Sequence, residues 1–204
     1  MKLYPYIFIF LILTINSCSN KTFKCNCDTS LVSKNDSILK SPEVKKGLSN
    51  IRARYMQEAL TNLNNESYRL STKRAFNKYY QVYTLSKLNE GGNLLIQEFL
   101  CDKPFDIECK LDSEYNLKIT EYQWNFFKKI IDKNCFWTFS IDDPDRGEYL
   151  DGSEWYLEGY QPDKRNCSKF EYLITYRKIP QKDKHFYNIV QSILNLVNPS
   201  KVHL

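Results

Sequence analysis

The densest set of residues able to do chemistry is the run Asp142, Asp143, Asp145, Glu148, Asp151, Glu154 and Glu158. Carboxylates at such spacing can hold a hard cation. With Asp143 as position one of a calcium loop, Asp145 falls at three, Asp151 at nine and Glu154 at twelve. An EF-hand loop needs glycine at position six, however, and here Gly147 stands at five with Glu148 after it. A solvated acidic loop is therefore expected, with no metal and no cofactor. Paired carboxylates could also serve a glycosidase, whose acid and base sit about 5–10 Å apart. Glu154 and Glu158 share one face of a strand but lie roughly 13 Å apart, too far to act together unless Asp151 comes closer through a turn. The simpler expectation pairs Glu158 with Arg177 across a hairpin, fixing register. Trp155, between the two glutamates, completes the candidate binding set Asp143, Asp145, Asp151, Glu154, Trp155, Glu158 and Arg177.

Other chemistries find less. The two histidines, His185 and His203, have no companion serine or cysteine motif, and Gly91-Gly92 sits in a turn signal rather than a phosphate loop. An enzyme has no positive support in the chain. Arg69, Lys73, Arg74, Lys78 and Lys87 interleave with Tyr68, Phe76, Tyr79, Tyr80 and Tyr83, a pattern that can mark a nucleic-acid platform. A net charge of +5 is only mildly basic and a weak claim about nucleic acid; outward charges on a half-buried sheet explain the pattern, with contact to an anionic glycan or lipid as the alternative.

These residues must be positioned by a modest number of elements. Ser41-Pro42-Glu43 opens a helix, and Val44, Leu48, Ile51, Tyr55, Ala59 and Leu63 carry its stripe to about Asn64. From Tyr68 the period becomes two. Tyr80–Ser86 and Leu94–Leu100 flank the turn residues 89–93, a hairpin signal. Thr120-Glu121-Tyr122-Gln123 is a capping box for a helix to about Asn134, with Trp124, Phe127, Ile130 and Ile131 inward. Phe136–Phe139 reads as a strand. Trp155–Tyr160 and Phe170–Arg177 form a second hairpin, and Asp183 caps a last helix with Phe186, Ile189, Val190, Ile193, Leu194 and Val197 on one face. The fold class expected is α+β, an antiparallel sheet built from hairpins and packed with about three helices.

Seven cysteines are present. Cys101 and Cys109 bracket a proline-containing loop and are the first candidate disulfide. Cys135 and Cys167 are the second, a bond that would join distant parts of the chain. Cys25 and Cys27 could pair only under strain, so either could stay free.

The first residues set the compartment. Lys2 gives a positive start, Leu3–Ile15 is almost wholly apolar, and Asn16-Ser17-Cys18 ends the run. As a helix that run spans roughly 20 Å, short of a hydrocarbon core of about 30 Å. Leu13-Thr14-Ile15-Asn16-Ser17-Cys18 resembles the lipobox of bacterial lipoproteins. The resemblance implies a signal peptide over 1–17, a thioether-linked diacylglycerol on Cys18, and a further acyl chain, of the palmitate kind, on the new amino terminus. Ser19 after the cysteine, with no acidic cluster before Asp28, implies a cell-envelope protein on the periplasmic face of an outer membrane. The alternative is a secreted protein whose signal ends near a cysteine. Residues 18–40 then read as lipidated terminus and flexible tether, 41–198 as one α+β domain and 199–204 as a tail.

Within the domain, Glu66-x-Tyr68-Arg69, Phe136-Trp137, Asp151-Gly152-x-x-Trp155-x-Leu157-Glu158 and Tyr176-Arg177 occur in order. This resembles a family of uncharacterised bacterial proteins, many of them secreted, over roughly residues 60–197, although the Tyr-His pair of that family's last strand is absent here. The resemblance implies a shared fold and carries no activity. Function is thus expected to be that of a lipid-anchored binding or interaction module with a protein or envelope-polymer partner and no nucleic acid. An envelope hydrolase using the acidic loop, and an inhibitor or immunity-type protein, are the alternatives.

Overall fold

The computed structural model describes residues 25, 29–54, 57–73, 78–102, 109–141, 154–162 and 171–197. Its centre is one antiparallel sheet of six strands: β1 (Ser67–Lys73), β2 (Tyr79–Lys87), β3 (Gly92–Cys101), β4 (Cys109–Ile119), β5 (Glu154–Tyr160) and β6 (Tyr172–Arg177), in the order β4-β3-β2-β1-β5-β6. The described helices are α1 (Thr29–Lys40), α2 (Pro42–Arg54), α3 (Glu121–Lys133) and α4 (Lys184–Val197), and short 3-10 turns cover Leu60–Leu63, Phe136–Thr138 and Pro180–Lys182. The α+β class and both hairpins stand as expected.

Because side chains alternate across a strand, the pairings Tyr68↔Leu85, Leu85↔Leu94 and Leu70↔Leu157 put one row of apolar residues on one face. Helix α3 covers that face with Trp124, Phe127 and Ile131, and α4 with Phe186, Ile189, Val190 and Ile193. Thr120 and Gln123 form the anticipated reciprocal cap. Asp183 caps α4 through Phe186 N–H at 3.0 Å. On the opposite face a smaller cluster gathers Tyr80, Val82, Phe99, Cys101 and Cys109.

Four expectations change. Residues 29–40, expected within a tether, form α1, which is fixed to the domain: Asn35 is buried and donates to the Phe139 carbonyl at 2.7 Å, while Ile38 and Leu39 pack on the core. The next helix starts with Ser41 accepting from Val44 N–H, as its cap should, but ends at Arg54, and Leu60 then belongs to a separate turn. Phe136–Phe139 is not a strand. Cys135 takes a left-handed conformation (φ 54°), which breaks the extended path and winds Phe136–Thr138 into a 3-10 turn with both large rings buried. The strand β4 was not anticipated, because an edge strand with most side chains in water shows no clean alternation.

Among the described residues two disulfides are formed. Cys101–Cys109 closes the expected loop, whereas Cys135 bonds Cys25 across 110 positions rather than Cys167. The reason is α1: once it docks on the core, Cys25 is carried to the end of α3, with a Cα–Cα distance of 5.5 Å. Cys167 lies outside the described residues.

Close packing at the centre makes Gly159 necessary. A methyl group there would stand 2.4 Å from Cε1 of Phe136 and 3.2 Å from Cδ1 of Tyr68, both buried rings. Gly159→Ala should cost about 1–3 kcal/mol by overpacking, read as a lower melting temperature. An unchanged melting curve would contradict this packing.

Candidate functional site

At the end of the sheet where β2 turns into β3, an open groove of about 980 Å³ is lined by Asn64, Asn65, Glu66, Lys87, Leu88, Asn89, Glu90, Lys128, Asp132, Gln161 and Pro162. Four pieces of chain build it, one of them Gln161 and Pro162 just past the end of β5. Asn64, left-handed at φ 57°, turns the chain from the Leu60–Leu63 turn into β1 and brings Asn65 and Glu66 to the rim. The Glu66 carbonyl accepts from Lys87 N–H at 2.8 Å, tying that rim to the β2–β3 turn. Gly91 closes the turn at φ +83°, where a Cβ would fall 2.1 Å from the Ile119 carbonyl oxygen. Helix α3 supplies the third wall with Lys128 and Asp132, one turn apart.

Glu66 and Lys128, both in the groove lining, meet the hydroxyl of the buried Tyr68. The Tyr68 hydroxyl donates to Oε1 of Glu66 at 2.8 Å, and Lys128 donates to the Tyr68 hydroxyl at 2.8 Å while pairing with the Glu66 carboxylate. The tyrosine ring is fully buried, edge-on to Phe127 and Phe136 with centroids 5.1 and 5.9 Å away. Burial, followed by the negative charge and hydrogen bond of Glu66, pushes the Tyr68 hydroxyl well above its ordinary range. It stays a neutral donor. Asp132 is also raised, by desolvation first and the Glu66 charge in addition, while Lys128 pulls the other way. The groove thus holds Lys128 paired with Glu66, with Asp132 one helical turn away and Asn64, Asn65, Asn89 and Gln161 also in the lining.

The pH consequence has a definite sign. A group whose folded pKa is raised leaves stability intact below its unfolded value and loses it as pH rises through the folded value. Tyr68 therefore weakens the fold only above about pH 10. For Asp132, Lys128→Met should move its titration further upward, because the one opposing charge is removed. Carboxyl carbon NMR would read that shift, and a downward move would contradict the arrangement.

The anticipated site residues are dispersed. Asp143, Asp145 and Asp151 lie outside the described residues, as does Cys18. Glu154 begins β5, 4.0 Å from Lys73. Trp155 faces the core and is buried. Glu158 does not pair with Arg177. It stands opposite Ile174, three positions from Arg177, so the two side chains emerge on opposite faces of the sheet. Glu158 instead meets Arg69 at 3.6 Å and accepts from the Tyr172 hydroxyl at 2.7 Å. Arg177, also buried, pairs with Asp183 at 2.8 Å and lies against the rings of Phe139 and Phe186. It clasps β6 to the start of α4.

Glu66, Lys128, Asp132 and Gln161 were missed by reasoning from sequence. Lys128 and Asp132, opposite charges one turn apart, look like any solvated helix face. Glu66 was noticed only as part of a motif. No family model and no curated protein matches the chain.

Proposed function

We propose that this chain is a lipid-anchored cell-envelope protein, on the periplasmic face of an outer membrane, whose domain binds an envelope polymer in the groove between Glu66, Lys87 and Asp132. The lipobox ending at Cys18 supports the anchor. The observation that carries the binding reading is the groove lining: Lys128 paired with Glu66, Asp132 one turn along the same helix, and the amide residues Asn64, Asn65, Asn89 and Gln161. Side-chain amides offer donor and acceptor together. Such a lining suits a ligand rich in hydroxyl, acetamido and carboxylate groups, the chemistry of cell-wall glycopeptides.

Calorimetry of the full-length protein with soluble glycopeptide fragments of the cell wall tests this. Lys128→Met and Asn65→Ala should each weaken binding by about tenfold, near 1.4 kcal/mol, with the fold retained. Fragments that fail to bind the wild type, or bind both variants equally well, would contradict the proposal.

A further inference from the structure

Helix α3 carries a second surface that the groove does not use. Tyr122, Phe126, Lys129 and Lys133 follow one another at spacings of four, three and four, which sets them in one narrow stripe along the helix. Tyr122 is 68% exposed and Phe126 48%, and both lysines are exposed as well. A helix that only covers a sheet puts polar residues on its outer face. Two outward aromatics followed by lysines instead match the composition of helices that lie in a membrane interface, rings at headgroup level and ammonium groups on phosphates.

A covalent observation says which surface that stripe meets. Cys135, two residues beyond α3, is bonded to Cys25. Cys18 precedes Cys25 by seven residues. Seven residues reach at most about 25 Å, while α3 itself is about 18 Å long. Whatever holds Cys18 in a bilayer therefore holds the lysine-bearing end of α3 within one short tether of it.

We infer that the Tyr122–Phe126–Lys129–Lys133 stripe docks on the bilayer that carries the anchor, with the two lysines on anionic phospholipid headgroups. The inference rests on the membrane-anchored reading above. Lys128 and Asp132 occupy a neighbouring flank of the same helix, so the groove would open beside the lipid surface and meet its ligand there.

The test uses full-length protein in phosphatidylethanolamine–phosphatidylglycerol vesicles whose acyl chains are brominated, with the intact mass of each preparation reporting acylation. Phe126→Trp places a reporter on the stripe, and Tyr115→Trp places one on exposed β4; Trp124, Trp137 and Trp155 give both the same background. The emission of Phe126→Trp should be quenched several-fold more than that of Tyr115→Trp, and adding Lys129→Glu with Lys133→Glu should remove most of the difference. Equal quenching at the two positions in acylated protein overturns the docking and leaves the anchor standing. Selective quenching at 126 in protein without an acyl chain supports the docking and overturns the anchor.

Discussion

Cys25→Ser lowers the stability of the domain by about 5 kcal/mol, the loop-entropy value for a crosslink spanning on the order of a hundred residues. For a chain of this size that is a fall in melting temperature of roughly 10–20 °C. Cys135→Ser should match it, and the double variant should add nothing, because one bond is removed in each case. The Cys101–Cys109 bond spans 8 positions and should be worth only about 2.5 kcal/mol. The ordering of the two is the sharper expectation, since it follows from chain topology. The loss should also show locally. Helix α1 retains Asn35 on the Phe139 carbonyl and its Ile38 and Leu39 contacts, so amide exchange in 29–54 should quicken before the sheet is affected. Equal losses from the two disulfides would contradict the connectivity.

Arg69→Leu should cost about 3–5 kcal/mol, the usual consequence of leaving one partner of a buried ion pair behind. Arg69 is 3% exposed, and its guanidinium donates to Thr84 Oγ1 at 3.2 Å and to the Glu58 carbonyl at 2.8 Å besides facing Glu158. The register aligns Thr84, Arg69, Glu158 and Ile174 in one row across four strands, and the Leu60–Leu63 turn packs over β1 and β5. Removing the cation takes the paired positive charge away from a carboxylate that is only 5% exposed in that layer. Replacing both partners, Arg69→Leu with Glu158→Leu, should recover most of the loss, because neither charge then needs solvation. Chemical denaturation of the single and double variants measures the coupling. Additive losses would show that the two groups do not interact.

Much of the fold was legible because the patterns were local. Period-two runs ending in 89–93 gave the first hairpin, Thr120 and Gln123 the start of α3, and the Phe186–Val197 stripe the face of α4. What failed depended on distant partners. The stretch Thr29–Lys40 has few apolar residues, and what ties it to the domain is distant in sequence: Asn35 on the Phe139 carbonyl, Ile38 and Leu39 on the core, and the neighbouring Cys25–Cys135 bond. Phe136–Thr138 has the composition of a strand, but the left-handed Cys135 before it decides otherwise. The Glu158–Arg177 pairing failed by an odd number of positions, which flips a side chain to the other face.

The motif seen in sequence has a structural explanation. Tyr68, Phe136, Trp137, Trp155 and Leu157 sit in the main core, Arg69 and Glu158 are the buried ion pair, and Arg177 is the clasp on α4. These residues specify a fold, so they could not point to a ligand. Among the motif's described residues, only Glu66 lines the groove. The other groove residues come from a turn, a helix and a strand end, which nothing short of the assembled sheet brings together.

Compartment, paired cysteines and the partner proposed for the groove all depend on how the mature chain begins. Intact-mass analysis of the native protein, extracted from envelopes, should find its first residue to be Cys18 with acyl chains attached. A mature protein that starts elsewhere, or that starts at Cys18 with no added lipid, contradicts the account.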